Sequence, residues 1–492
     1  MLPFRGGDFG NGVGAGVFAL NFNNPRSNSN INVGFRAALP SQPDIQSLRT
    51  LFQCGGDKGV CSLPTILLVV AKIKLPWKPP VTRKGKRRDT WPPKGENNMK
   101  SIKHIKERVT DYENLYTAYL HARRCKRYRD EVLQFSANLE DNLHYLQQSL
   151  RDQTYRPGPY AKKVIHDPVD RLIMWQAFIH RVVQWAVYQI INPAFVQGYI
   201  EDSYACIPGR GADAAAQRLF YFMEQAGRLE RRSGFDAKGK PRRRFYFQKL
   251  DTSKFFYRID HAVSLDLIGR KCNYDPWLMW LMDLFVNAPG EKFGYPPGKG
   301  IQDIAPEDMV ADKGLAVGSL LNQMLANVNQ NEVDQFAKRT LRIHYYVRYM
   351  DDIVMLADDK DQLMEWRNQI GAFMEERLKL ELNPKKSFIQ PISHGIDFCQ
   401  YRIFTDHIRL KKRTALRMKR NLKRIQRLYA EGKIDLDRAN RTLASYKGLL
   451  AHCDSYQLGM SIFGEYSETE WTEGWFVLKR STDNTDTEKH SE

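Results

Sequence analysis

The stretch RYMDDIVML (Arg348–Leu356) sets Asp351 and Asp352 side by side between two apolar runs, with HYYV (His344–Val347) just before it. Adjacent carboxylates repel, and each raises the pKa of the other. A chain keeps such a pair where water or a cation screens it. Asp is also a common turn residue, so the pair alone fits a solvated hairpin tip equally well. A third carboxylate changes the balance. FQKLDTSKFFYRIDH (Phe247–His261) brings an apolar strand to its end at Asp251 and follows it with Phe255 and Phe256. One Asp at a strand end and two at a hairpin tip can form a three-carboxylate cluster, which is costly unless hard cations neutralise it. Magnesium suits it, being bound by one or two carboxylates together with substrate phosphates. Two such ions about 4 Å apart can activate a 3′-hydroxyl and stabilise a departing pyrophosphate. Asp358 and Asp359 stand before a helical run and read instead as capping residues.

The elements that must position these groups follow from periodicity. Strands are predicted at Arg244–Asp251 and on both sides of Asp351. A helix fits Ser319–Lys338, with Leu320, Leu321, Met324, Leu325 and Val328 on one face. Another fits Asp170–Ile191, and helical periodicity runs from Ile102 through Asp152. The basic insertion Arg228–Arg244 contains Gly and Pro and reads as a loop. Composition divides the chain into residues 1–45, rich in Gly and Asn; 46–98, a linker ending in a run rich in Pro, Lys and Arg; a globular part over 99–404; a basic helical part over 405–460; and a polar tail over 461–492. Between Arg409 and Arg427 there are ten Lys/Arg and no acid.

Charge narrows the partners. With 75 Lys+Arg against 56 Asp+Glu, the net charge is +19, which favours a polyanion such as nucleic acid. No apolar stretch approaches the ~20 residues of a membrane-spanning helix, and no secretory leader is legible. The seven cysteines lack zinc spacing and read as reduced, mostly buried thiols of a cytoplasmic protein.

YMDD in a strand-turn-strand setting resembles the catalytic motif of reverse transcriptases, and LDTSKFF resembles their first catalytic motif, in the same order. The resemblance implies an α+β right-hand polymerase with fingers, a palm built on an antiparallel sheet, and an α-helical thumb. It implies two magnesium ions held by Asp251 and Asp351 with Asp352 in support, and Phe256 as the gate against a 2′-hydroxyl. DPVDRLIMW (Asp167–Trp175) is similar to the fingers segment whose Arg171 holds the incoming triphosphate. DSYACIPGRGADAA (Asp202–Ala215), with Arg210, resembles a template-contacting segment. LNPKKSFI (Leu382–Ile389) resembles the motif whose Lys386, or Lys385, protonates pyrophosphate. GIDFCQYRIF (Gly395–Phe404) resembles the primer grip. Template and primer contacts are implied at Arg210, Tyr349, Gly395 and Tyr401, and at Arg413, Arg417 and Arg420 of the thumb.

KGLAVGSLLNQMLANV (Lys313–Val328) narrows the type. Many relatives have Gln where this chain has Val317. The segment Val317–Gln323 is similar to the pattern of diversity-generating retroelement reverse transcriptases, departing from it at Asn322. Val317, Gly318 and Gln323 then line the nucleotide pocket. An aliphatic Val cannot make the polar contacts of a Gln, and the looser pocket lowers discrimination; the family associates this with misincorporation opposite template adenines. Phe4–Pro40 resembles the variable end of the C-type-lectin-fold proteins that such elements diversify. Asn codons keep coding when their adenines are randomised, and seven Asn fall between Asn11 and Asn32. An Asn/Gly-rich leader is the competing reading. Met99 opens a stretch resembling the usual start of these enzymes. The implied partners are a template RNA, its cDNA, deoxynucleoside triphosphates and a small basic accessory protein. A retron or phage-defence reverse transcriptase, or an inactive RNA-binding relative, are the rival readings.

Overall fold

The computed structural model describes residues 102–166, 170–295 and 308–466, with Trp471, Thr472, Phe476 and Leu478. The segments expected at 1–45 and 46–98, and the chain after Lys479, lie outside the described residues.

The helical periodicity that starts near Ile102 divides into α1 (Ile105–Val109), α2 (Tyr112–Ala122), α3 (Asp130–Ala137) and α4 (Leu139–Arg151). The breaks have local causes: Asp111 accepts a hydrogen bond from the Asn114 N–H and starts α2, and Asn138 leaves helical geometry between α3 and α4.

The single helix expected over Asp170–Ile191 is two elements. Strand β1 (Ala161–His166) pairs antiparallel with β2 (Asp170–Trp175), from Ala161 opposite Trp175 to His166 opposite Asp170. That ladder satisfies backbone groups that a helix would otherwise have to satisfy internally. Ala177 is extended, and α5 (Phe178–Gly198) begins after it.

The chain continues through β3 (Ser203–Tyr204), α6 (Ala212–Arg232), β4 (Tyr246–Asp251), α7 (Phe255–Arg258), α8 (His261–Cys272), α9 (Pro276–Val286), α10 (Leu320–Gln335), β5 (Tyr345–Tyr349), β6 (Asp352–Ala357), α11 (Lys360–Phe373) and β7 (Phe388–Pro391). A meander of β8 (Ile396–Phe398), β9 (Tyr401–Ile403) and β10 (Ile408–Leu410) leads into α12 (Lys412–Ala430), α13 (Leu436–Leu450) and α14 (Tyr456–Phe463). Helix α14 carries regular structure past the expected boundary at 460, and β11 (Glu465–Tyr466) pairs with β12 (Trp471–Thr472).

The central sheet has the order β3-β5-β6-β4-β7. β3 runs parallel to β5, and the other neighbours are antiparallel. Side chains alternate across it with period two. Leu250, Tyr346, Ile353 and Met355 face the larger core with α5, α9 and α10. Phe247, Val347, Val354 and Leu356 face a second core with α6 and the meander. A third core lies under α12, where Met418 and Leu422 meet Tyr446, Leu450 and Ile462; Met418 and Leu422 are i, i+4 neighbours on one face.

Helix α10 is seated differently. Ser319 caps it, and the helix buries Asn327, Asn329, Gln330 and Asp334. Asn327 donates to the Ala205 carbonyl, Asn329 to Ser264 Oγ and Gln330 to Thr252 Oγ1, each on a different element or loop. Of the five described cysteines only Cys272 is buried; Cys125 is exposed and the rest are half-buried. The expectation of mostly buried thiols is corrected here: Cys125 sits in a turn after α2, where little packs over it.

Candidate active site

Strand β4 ends at Asp251, strand β6 begins at Asp352, and the two residues are opposite each other in the ladder. Tyr349, the last residue of β5, is also opposite Asp352. Met350 and Asp351 are therefore a two-residue turn. Its first residue has φ 54°, as the turns that match strand twist require. Sequence and hairpin geometry together bring Asp251, Asp351 and Asp352 to one end of the sheet.

Each carboxylate has a distinct environment. Asp251 is buried. Its Oδ1 accepts from Lys386 Nζ at 3.0 Å and its Oδ2 from Asn383 Nδ2 at 3.1 Å, while its carbonyl accepts from the Asn383 N–H at 2.7 Å. Asp352 Oδ1 lies 3.1 Å from Lys249 Nζ. Burial opposes the charge on Lys249, but Asp352 and then Asp251 outweigh it and hold the ammonium above its ordinary pKa. Asp351 at the tip forms no ion pair with another described residue. Burial, then Asp352 and Asp251, push its carboxyl well above the ordinary carboxylate range.

Among the described residues no three carboxylate, imidazole or thiolate side chains stand close enough to hold a metal ion in this side-chain arrangement. Two lysines neutralise two of the carboxylates instead. The donor set still fits magnesium: it is all oxygen, it sits on two facing strand ends, and its mutual repulsion is what a divalent cation relieves.

The turn is anchored from below. Arg348 is completely buried. It donates from Nε and Nη2 to the two oxygens of Asp334 at 2.7 Å each, from Nη2 to Ser203 Oγ at 2.6 Å, and from Nη1 to the Met350 carbonyl at 2.9 Å. Tyr346 donates to Asp334 as well.

Residues 170–403 match the family "Reverse transcriptase (RNA-dependent DNA polymerase)". They are a reverse transcriptase domain. No curated protein matches the chain. Solved structures similar to it include apo telomerase from Candida tropicalis, at 11% identity and a TM-score of 0.38, covering 55% of this chain and 51% of that one. Telomerase from Candida albicans with a fragment of telomeric RNA is similar at 11% identity and a TM-score of 0.33, covering 59% and 52%. The chain thus spans about half the length of these telomerases, and likeness at this level supports no further conclusion.

Within the reverse transcriptase domain the remaining expected residues fall as follows. Arg171 is on β2, opposite Ile165. Phe256 is buried on α7, its ring edge-on to Phe255 at 5.5 Å. Val317 is buried, and its carbonyl accepts from the Met174 N–H at 3.1 Å, tying β2 to the start of α10. Gly318 has φ 117°, and a Cβ there would meet the Met174 carbonyl at 3.1 Å, so no other residue fits without strain. Gln323, buried, accepts from Cys206 Sγ. Arg210 donates to the Ile200 carbonyl at 2.6 Å. Tyr349 is half-buried with its ring edge-on to Phe398. Gly395 has φ 73° and lies under the Phe404 ring. Tyr401 is buried and donates to Asp213 at 2.7 Å. Beyond the domain, α12 carries Arg413 and Arg420 exposed and Arg417 half-buried. Arg413 also lines a cleft with Asp397, Arg402, Lys411, Lys412 and Leu416. Between the two lysine candidates, it is Lys386 whose ammonium reaches Asp251; Lys385 donates its backbone N–H to Asn383.

Three residues at the site carry no motif signal of their own. Lys249 was legible in principle, since it stands two residues before Asp251 and so on the same strand face. Asn383 lies inside LNPKKSFI, and Arg348 inside the hairpin motif. Only the fold reveals that Lys249 and Asn383 each hold one of the carboxylates and that Arg348 holds the residue before Asp351. Asp359 caps α11 by accepting from the Asp361 N–H, whereas Asp358 pairs with Arg243.

Proposed function

We propose that the whole chain is an error-prone RNA-directed DNA polymerase of the diversity-generating retroelement type. It copies a template-repeat RNA into cDNA with misincorporation at adenines. The observation that carries the polymerase reading is the meeting of Asp251, Asp351 and Asp352 at one sheet end, in a reverse transcriptase domain. The subtype rests on Val317 and the pattern to Gln323, together with Phe4–Pro40.

In this reading the five-stranded sheet is the palm, β1 and β2 belong to the fingers, and α12–α14 are the thumb. Asp251, Asp351 and Asp352 hold two magnesium ions. When bound, the ions acidify the primer 3′-hydroxyl and neutralise charge on the leaving pyrophosphate. Lys386, already on Asp251, donates a proton to the pyrophosphate. Arg171 grips the triphosphate. Phe256 closes the pocket against a 2′-hydroxyl. Val317, Gly318 and Gln323 shape the space beneath the new base pair. Arg210, Tyr349, Gly395 and Tyr401 border the template and primer. The Lys/Arg face of α12, with Arg413, Arg417 and Arg420, takes the duplex backbone without reading sequence. A small basic accessory protein completes the assembly in the cell cytoplasm.

Primer extension on an RNA template with deoxynucleotides and magnesium tests the activity, and sequencing of the cDNA tests the subtype. Extension with errors concentrated at template adenines is the expected result. Extension with uniform errors would retain the polymerase and remove the subtype in favour of a retron-like enzyme.

A further inference from the structure

The basic insertion is a built hairpin. Residues Arg228–Arg244 carry eight Lys/Arg against two acids, Glu230 and Asp236. The first three cations end α6. The remainder folds back on itself: the Arg242 N–H donates to the Gly234 carbonyl at 2.9 Å and the Asp236 N–H to the Lys240 carbonyl at 2.8 Å. Asp236 Oδ1 accepts from the Lys238 and Lys240 N–H groups, and Ser233 Oγ accepts from the Arg243 N–H.

The acids nearby are all engaged internally. Asp236 organises the tip, Glu230 accepts from the Phe245 N–H at 2.6 Å, Glu224 pairs with Arg228 and Asp358 with Arg243. Lys238, Lys240 and Arg242 are exposed, and no ion pair with another described residue offsets their charge. Phe235 stands beside them with 54% of its surface exposed, a fraction that core packing does not explain.

Location separates this hairpin from the carboxylates. Tyr246 is opposite Ala357, five ladder positions from Asp251 opposite Asp352. At about 3.3 Å per residue, the root of the hairpin is about 17 Å along the sheet from the active site. The hairpin joins β4 at Tyr246, the end of the strand opposite to Asp251.

We propose that Gly234–Arg243 is a second RNA-binding site, outside the polymerase cleft, for a single-stranded stretch of RNA. Lys238, Lys240 and Arg242 take phosphates, and Phe235 stacks on an unpaired base. A single strand is chosen because a duplex keeps its bases stacked on one another, while an exposed aromatic among cations offers a free base a platform. The choice of RNA over another polyanion rests on the reading of the chain as an RNA-directed polymerase.

The test uses the full chain and two fluorescein-labelled primed RNA templates, one short and one with a long single-stranded extension. The wild type binds the long template more tightly. In the triple variant Lys238→Ala, Lys240→Ala, Arg242→Ala that preference disappears, and the slope of log affinity against log salt on the long template falls by about 2, at roughly 0.7 per single-strand phosphate. Phe235→Ala weakens the long template at least about fivefold, as loss of one stacked base does. Saturated extension rates on the short template stay at the wild-type value in both variants. An unchanged preference for the long template, as when the hairpin serves an acidic protein instead, overturns the proposal. So does an equal loss on both templates. Failure of the wild type to extend the short template would remove the polymerase reading separately, and the two binding curves would still decide the hairpin.

Discussion

Arg348 grips both carboxylate oxygens of Asp334 at 2.7 Å, and both side chains are wholly buried. The pair joins α10 to β5, and the same guanidinium holds the Met350 carbonyl, one residue before Asp351. It is thus the floor of the acidic turn. Removing one partner of a buried pair leaves an uncompensated charge, costing about 3–5 kcal/mol.

Arg348→Met is therefore expected to lower stability by that order in urea unfolding. Arg348→Lys keeps the charge but lacks the planar fork. It is expected to fold, with a smaller loss, and to extend primers more slowly at temperatures where it is fully folded. Wild-type stability in Arg348→Met would show that the pair contributes nothing to the fold.

Asp251→Asn and Asp351→Asn are each expected to abolish primer extension in magnesium while RNA affinity remains within about twofold, because phosphate contacts come mainly from Lys and Arg elsewhere. Gel-based extension and fluorescence anisotropy measure the two quantities. Extension at the wild-type rate by either variant would remove that Asp from the chemistry.

Val317→Gln is expected to raise fidelity at template adenines. Val317 is buried, and its contact to Met174 runs through the backbone, so in the proposed reading the substitution changes the pocket wall and leaves that bond in place. Deep sequencing of cDNA from both proteins decides it; equal error rates at adenine would mean that the wall does not set them.

His180 gives a pH-dependent prediction. The Gly158 N–H donates to His180 Nε2 at 2.9 Å, and Nδ1 lies 2.7 Å from the Tyr155 hydroxyl. Burial pulls its pKa down to about 4 from an ordinary 6.5. The unfolded chain then binds the extra proton first, so the stabilisation is complete above pH 6.5 and is lost as pH falls toward 4. The loss is on the order of 3 kcal/mol at about 1.4 kcal/mol per unit. Melting temperature against pH should drop through that window in the wild type and drop less in His180→Gln. Parallel curves would place the titration elsewhere.

A chain beginning at Met99 is expected to extend primers at the full-length rate at physiological salt. The motifs that resemble a polymerase start after that residue, and if 46–98 is a linker, as its composition reads, few contacts cross it. A folded but inactive shortened chain would make residues 1–98 part of the working enzyme.

The carboxylate hairpin was legible because its signals are local: an apolar run, two Asp, another apolar run, and Asp251 at a strand end. The start of α10 near Ser319 and its apolar face were legible for the same reason. Strand β2 was not, since Leu172, Ile173, Met174 and the residues after them also satisfy a helical repeat, and only pairing with β1 decides between the two. The parallel pairing of β3 with β5 joins Ser203 to Arg348 across too long a stretch of chain for any window to capture. The contacts of Lys249 and Arg348 belong to that same class, since both depend on which strands become neighbours.

The buried amides of α10 have a mechanical consequence. Apolar contacts are non-directional, so leucines alone seat a helix less strictly than directional hydrogen bonds do. Here Asn327, Asn329, Gln330 and Asp334 engage partners on several other segments, with Arg348 meeting both Asn327 and Asp334, like teeth of a key in different wards. A slip by one position disengages all four at once. At about 1–3 kcal/mol for each buried polar group left unpaired, that approaches the whole stability of an ordinary domain. The helix is indexed to a single seat, and the acidic turn that rests on Asp334 through Arg348 inherits that exactness.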